Sequence, residues 1–502
     1  MNRLIPVIHY LNRYFLMTMV ILMAVGLHIL TTLEVNNTLV RVGITDLLLP
    51  VFITYIIINL LINKKTPELI VRNFWLWILA ITAWMAVCLI NGYYYAGSLV
   101  VWAFINKFIG WLILILYIFV GIYLGSQNNY LKIIFIKWMV MFAWFICMYE
   151  IILRFFNKFG YQPWFLPLHY RIQGFFENPN AFGICIATII ILQVIMQSRY
   201  KMFNKYVSLV GAVFCFMAVV YSYSRSAWLG LILGFITAMI INKKSIKLIL
   251  GILSLSFLMI YVMFTLINKT NFEYIKTESA HVVNYDKNEK QINNLISSIA
   301  KIYISTSKVL NDISVINIKL TPDTKTEDKP KIINKTPEQN LAEVTNNHNN
   351  KKISIYDPDI MYRLKGDEGK SNTKRIDMIK RSYLYWLEKP VIGIGLGSYM
   401  WRSKKENVSE DVITIHNSAL WLLVETGIVG LLIFSIFTYK TTSSLIKYGY
   451  IGENIRLDKA MVCIILVFLG ASIGTEVLYQ RYFWLLLGMS IVNIDKKTFI
   501  KP

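Results

Sequence analysis

Residues 414–439 read TIHNSALWLLVETGIVGLLIFSIFTY, and this stretch decides the class of fold. A polar insert from about Lys269 to Asp411 ends just before it, and the apolar run from Ala419 to Tyr439 follows at once. A run of about 20 apolar residues crosses the hydrocarbon core of a bilayer as one helix. The junction therefore predicts a membrane helix with His416 at its mouth, where an imidazole can titrate near neutral pH and approach a lipid-borne substrate.

Composition agrees with a membrane protein. The 502 residues are 56% hydrophobic and only 16% charged, whereas soluble domains are about 25% charged. The net charge of +22 does not indicate nucleic-acid binding, because many basic residues lie in short loops between apolar runs, where they set topology. The five cysteines lie within apolar stretches and predict no disulfides.

About twelve apolar runs are long enough to span, which predicts an all-α polytopic protein. They lie at about 14–32, 43–62, 73–91, 98–124, 132–153, 181–197, 206–222, 226–242, 247–267, 418–439, 460–477 and 481–494. Basic residues cluster in alternate loops, so both termini are predicted to be cytoplasmic. Residues 1–267 then hold nine helices with an outer loop at 154–180, and residues 416–502 hold three helices and a cytoplasmic tail.

The extracytoplasmic region 268–415 divides in composition. Apolar residues at helical spacing predict an amphipathic helix at 288–311, and the polar stretch 321–352 predicts disorder. A second helix is expected from Asn372 or Thr373 to just before Pro390. Its apolar stripe is formed by Ile376, Ile379, Tyr383 and Trp386.

The first candidate site lies in the predicted outer loop, where Arg171 and Gly174 precede Asn178-Pro179-Asn180. A guanidinium at this depth is costly unless it meets an anion, and its planar fork suits phosphate oxygens. The alternative is an interfacial arginine that extends to the lipid headgroups.

A second arginine follows in Tyr221-Ser222-Tyr223-Ser224-Arg225-Ser226, a break too short for an ordinary loop. Arg225 should therefore lie shallow in the membrane, on the same face as Arg171, beside hydroxyls that can donate to anionic oxygens. Two such cations could neutralise a pyrophosphate. The alternative is a turn whose arginine pairs with a buried carboxylate.

The third candidate is His416, followed by Asn417 and, about two turns into the helix, Glu425. A neutral imidazole here could take a proton from a sugar hydroxyl that attacks an anomeric carbon. The alternative is a histidine that only caps the helix or hydrogen-bonds at the interface.

Weaker signals accompany these. Lys107, inside the fourth run, is either a buried phosphate ligand or a lysine that extends outward. Gly393–Gly397 predicts a turn, and Asp357-Pro-Asp359 a solvated acidic turn. We find no metal-binding cluster of Cys and His, no P-loop and no Ser-His-Asp grouping.

The ordered motifs are Arg171-x-x-Gly174 with Asn178-Pro179-Asn180, Ser222-x-Ser224-Arg225, Pro390-x-x-Gly393-x-Gly395, and His416-Asn417 with Glu425-x-Gly427-x-x-Gly430. From about residue 170 to 435, this order resembles the O-antigen ligase and O-antigen polymerase superfamily. The resemblance implies a GT-C membrane glycosyltransferase that takes a glycan from an undecaprenyl-pyrophosphate carrier in the bacterial plasma (inner) membrane. It implies no cofactor, metal or nucleotide sugar.

By the same resemblance, Arg171 and Arg225 hold the pyrophosphate and His416 serves the acceptor hydroxyl in an inverting displacement. Arg375 and Arg381 would add phosphate contacts, and Asn178, Asn180, Ser224, Asn417 and Glu425 would support the site. The acceptor would be lipid A-core. The alternatives are a polymerase that extends a nascent polysaccharide, a protein O-oligosaccharyltransferase and, in another class, a polysaccharide or lipid transporter.

Overall fold

A computed structural model gives the fold. It describes residues 30–35, 38–63, 68–126, 129–157, 171–174, 176, 178–262, 368–406, 415–449 and 457–492. The chain divides into two compact units, Met1–Tyr261 with Lys374–Pro502, and Val262–Thr373. All contacts discussed below lie within the first unit.

Helices dominate, as the apolar runs predict. In chain order they are α1 Ile44–Asn63, α2 Phe74–Tyr93, α3 Val100–Ser126, α4 Asn129–Asn157, α5 Pro179–Tyr200, α6 Lys205–Tyr221, α7 Arg225–Ile241, α8 Ser245–Val262, α9 Glu368–Glu388, α10 Ser398–Glu406, α11 Ser418–Gly449, α12 Asp458–Ser472 and α13 Arg481–Ser490. Eleven of these thirteen coincide with predicted runs or parts of them. Six helices among the described residues are long and apolar enough to cross a membrane: α2, α3, α4, α5, α8 and most of α11.

The helical class is confirmed, with one departure in the described part of the chain. Leu30–Val35 (β1) and Thr38–Gly43 (β2) form an antiparallel hairpin in which Leu30 is paired with Gly43. The end of the first predicted run and the loop after it are therefore strands. In β2, β-branched residues at alternate positions suit such a ladder. The rest of the first run, 14–29, lies outside the described residues.

Predictions for the polar insert are tested only near its end, because 288–311, 321–352 and Asp357-Pro-Asp359 lie outside the described residues. The second helix exists as α9, but it begins at Glu368, before Asn372 and Thr373. The apolar stripe is not the buried face of this helix. Ile376, Ile379 and Tyr383 are about half exposed, and the buried side chains are those of Met378, Ser382 and Tyr385.

Close backbone packing joins the helices around the site. A Cβ on Gly121 of α3 would lie 2.2 Å from the carbonyl oxygen of Leu485 in α13, and one on Gly488 would lie 2.3 Å from that of Ile118. Gly230 of α7 meets α12 in the same way. Within lipid the hydrophobic effect does not drive helices together, and small residues stabilise their association by letting the backbones approach closely. These contacts hold α3 against α13 and α7 against α12.

Two helices depart from regular α geometry. α3 contains a π-helical turn at Phe104–Ile109. α11 is broken at Gly427, whose φ of 70° and ψ of −177° are not helical. Inside a membrane such a break is tolerated only where neighbouring groups bond the freed backbone. Here the segment 390–395 does so, since the Ile394 and Gly395 N–H groups donate to carbonyls of α11.

Candidate functional site

Arg171 is joined to the turn that carries Arg225. Its Nε donates to the carbonyl oxygen of Ser222 at 2.7 Å, and its Nη2 donates to Asn180 Oδ1 at 2.8 Å. The Ile172 N–H also donates to the Tyr221 carbonyl at 3.1 Å. These bonds fix the plane of the guanidinium and bring together two motifs about 50 residues apart in the chain.

Two predicted site residues are helix caps. Asn178 caps α5 by accepting from the Asn180 N–H at 2.8 Å, and Ser224 caps α7 by accepting from the Ala227 N–H at 3.2 Å. The Ser222 hydroxyl donates to the Val219 carbonyl at 2.7 Å. Ser222 and Ser224 are both fully buried, so their hydroxyls shape the turn and do not present donors beside Arg225 as predicted. Arg225 itself is exposed, at the first position of α7.

The His416 junction is tied down by its neighbours. Asn417 Oδ1 accepts from the Leu420 N–H at 2.9 Å, which caps α11, while its Nδ2 donates to the Ile473 carbonyl at 3.0 Å. The Ser418 hydroxyl donates to the Thr475 carbonyl at 3.2 Å. His416 is exposed beside these bonds.

Residues 473–480, here called the connecting loop, bring the arginine turn and the histidine junction together. On one side the loop binds Asn417 and Ser418. On the other, a Cβ on Gly474 would lie 2.4 Å from Ser226 Oγ, next to Arg225. Three helix N-termini (α5, α7 and α11) are thus linked in one cluster. Each carries the positive end of a helix dipole, which favours anions.

Glu425 lies at the break in α11 and is 3% exposed. Its Oε2 accepts from Trp421 Nε1 at 2.8 Å, and the Gly397 N–H also donates to the carboxyl group. Gly397 is the last residue of the predicted turn Gly393–Gly397. The structure has a turn there, and it is buried, since Ile394 and Leu396 are fully buried. Glu425 is therefore buried, and its carboxyl group connects α11 to the turn that ends at Gly397.

Sequence reasoning missed the partner of Lys107. Lys107 is 8% exposed and does not extend outward, because its Nζ donates to Glu476 Oε1 in the connecting loop at 2.5 Å. The rings of Trp421 and Tyr479 lie 4.7 and 4.8 Å from the Nζ. Burial raises the pKa of Tyr479, so its hydroxyl stays protonated and donates to the Lys107 carbonyl at 3.0 Å. The sequence offered one signal for this pair: Glu476 is the single charged residue of the apolar run 460–477, and Lys107 is the single charged residue of the run 98–124.

The O-antigen ligase family matches residues 210–435. This match supports the resemblance to the O-antigen ligase superfamily. No curated protein matches it. The matched residues include Arg225, His416 and Glu425, and the match ends before the connecting loop. Arg171 and Lys107 precede it.

Two further predicted site residues lie on α9. Arg375 is placed in the helix, with its side chain outside the described residues, and Arg381 is partly exposed. Their phosphate contacts stay predictions. Within the described part of the chain, no three His, Cys, Asp or Glu side chains are grouped to hold a metal ion.

A cavity of about 480 Å³ begins beside the junction and follows α11. Ser418 and Val477 line one end, where the Val477 N–H donates to Ser418 Oγ at 2.9 Å. Its other lining residues include Phe434, Phe468 and Trp484. Most of the wall is apolar, which suits an apolar ligand.

Proposed function

We propose that this membrane protein transfers a glycan from an undecaprenyl-pyrophosphate carrier to a lipid A-core-like acceptor at the outer face of the bacterial plasma membrane. The observation that carries the proposal is the cluster around the connecting loop. There the Arg171–Ser222 bond, the α7 start with Arg225 and the His416 junction adjoin one end of an apolar cavity. A pyrophosphate attached to a hydrocarbon chain suits this arrangement, because the arginines can bind the pyrophosphate and the apolar cavity can receive the chain.

Arg171 and Arg225 are proposed to bind the pyrophosphate. Guanidinium groups form paired bonds to phosphate oxygens, and the three linked helix N-termini add positive potential. Both effects grow as the bond to the leaving group breaks and negative charge develops. Arg375 and Arg381 are proposed as additional phosphate contacts from α9.

His416 is proposed to serve the acceptor. The acceptor hydroxyl oxygen attacks the anomeric carbon, the bond from that carbon to the phosphate oxygen breaks, and the carrier pyrophosphate leaves. Neutral His416 takes the hydroxyl proton. Attack opposite the leaving group inverts the anomeric configuration. The hydrogen bonds of Asn417 and Ser418 support this role because they hold the junction in place.

The orientation is proposed from charge. Lysine or arginine residues lie at or just after the C-terminal ends of α1, α5, α7 and α11. The positive-inside rule places these ends in the cytoplasm. The N-termini of α5, α7 and α11 then face outward, where a carrier-linked glycan is available.

Deletion of the gene tests the function and separates its alternatives. A ligase mutant accumulates full-length chains on the carrier, a polymerase mutant leaves single repeat units, and loss of glycan from proteins indicates a protein O-oligosaccharyltransferase. Surface glycans and carrier-linked glycans that both match the parent strain would contradict all three.

Complementation then tests the residues. His416→Ala, Arg171→Ala and Arg225→Ala are each expected to abolish transfer while the protein still inserts. Arg199→Ala is the matched control, because Arg199 lies in the last turn of α5, far from the cluster. Normal transfer by the His416→Ala protein would remove its proposed role.

A further inference from the structure

The proposed chemistry makes no use of Lys107, which lies beside the connecting loop, or of Glu476, which lies within it. The Lys107 ammonium is buried in α3, is bonded to Glu476, and has the rings of Trp102, Trp421 and Tyr479 within 5.6 Å. A charge within a membrane helix is costly, and such residues mark functional sites by default. An apolar pair of the same volume would commonly hold the fold as well.

Lys107 holds the connecting loop at two points. Its side chain binds Glu476, and its backbone carbonyl accepts from the Tyr479 hydroxyl. Lys107 lies in the π-helical turn Phe104–Ile109, and such turns occur frequently at functional sites. One residue of α3 therefore fixes both halves of the loop.

The same loop residues contact the candidate site. Glu476 lies between Thr475 and Val477, whose backbone groups bind the Ser418 hydroxyl. Two residues earlier, Gly474 packs against Ser226. Any shift of Glu476 is therefore transmitted to both the histidine junction and the arginine turn.

We propose that Lys107 and Glu476 are positioning residues whose ion pair sets the connecting loop so that Arg225 and His416 face the same substrate. The effect of this pair on transfer rests on the proposed function, whereas its effect on the loop does not. A misplacement of about 1 Å at a reacting group can cost about 100-fold in rate.

Cross-linking tests the position of the loop without any substrate. In Ser226→Cys with Gly474→Cys, the two Cβ atoms would lie 3.5 Å apart, within the disulfide range of about 3.5–4.5 Å. The native cysteines are buried. In membranes, Lys107→Met with Glu476→Gln is expected to slow oxidation of this pair several-fold, and Lys107→Arg to leave it near the parent rate.

Lys132 and Asp458 supply a matched control. They are 3% and 4% exposed and interact electrostatically, but Asp458 begins α12 whereas the loop follows its end. Lys132→Met with Asp458→Asn should therefore leave the cross-link unchanged. Equal slowing in this control, or a parental rate in the Lys107 and Glu476 double variant, would overturn the proposal.

Transfer is measured with the same variants without the added cysteines. The substrate is the carrier-linked glycan that accumulates in the deletion strain. The Lys107 and Glu476 double variant is expected to lose about 100-fold in kcat, with less change in donor KM. Parental kcat in that variant would also overturn the proposal. If the wild-type protein transfers no glycan, the proposed function fails, and cross-linking still decides the positioning role.

Discussion

Replacing Gly427 with Ala should destabilise the fold at the break in α11. The backbone there has φ 70° and ψ −177°, a region that is essentially restricted to glycine. A Cβ would lie 2.2 Å from the Val391 carbonyl oxygen and 2.5 Å from the Gly393 nitrogen. Because both contacts are with backbone, the segment 390–393 must move.

The magnitude follows from the interactions lost. Backbone strain at such a residue costs about 1–3 kcal/mol. Movement of the segment also breaks the bonds from the Ile428 N–H to the Pro390 carbonyl, at 2.9 Å, and from the Val429 N–H to the Val391 carbonyl, at 3.3 Å. Each contributes about 0.5–1.5 kcal/mol. The free energy of unfolding should therefore fall by about 2–6 kcal/mol.

Titration with SDS in mixed micelles measures this free energy. Gly251→Ala is the control, because Gly251 lies in α8 and its added Cβ would meet the two methyl carbons of Leu209, at 3.3 and 3.9 Å. That substitution should be neutral or should stabilise by about 0.5–1 kcal/mol, as alanine favours helix. A Gly427→Ala protein as stable as the Gly251→Ala protein would refute the reasoning.

Three further substitutions test the site contacts. Asn180→Ala should lower glycan transfer because Arg171 loses its acceptor, whereas Asn180→Asp should retain most activity; equal losses in both would contradict this. Asn417→Asp should keep the helix cap but lose the bond to Ile473, whereas Asn417→Ala should also lose the cap and a further ~1 kcal/mol of stability in the SDS titration. Trp84→Phe should cost about 1 kcal/mol in the same titration, because its indole N–H donates to a carbonyl at the break at 2.9 Å.

Sequence alone determined most of the helices and where several of them begin. Run length and hydrophobicity are local properties, and a polar residue before an apolar run can cap it regardless of the rest of the fold. Asn178 and Asn417 illustrate this, since each precedes a predicted run and caps the observed helix. The hairpin was missed because its first residues end an apolar run and the residues after them were interpreted as a short loop.

Only the tertiary structure decided which motifs contact one another and which residues connect them. Lys107 and Glu476 are 369 residues apart, and no local pattern pairs them. The break at Gly427 likewise depends on bonds from a segment more than 30 residues earlier in the chain. A buried charge or a freed carbonyl needs a partner in space. The connecting loop supplies the partner of Lys107, and the segment 390–395 supplies the partners of the carbonyls freed in α11.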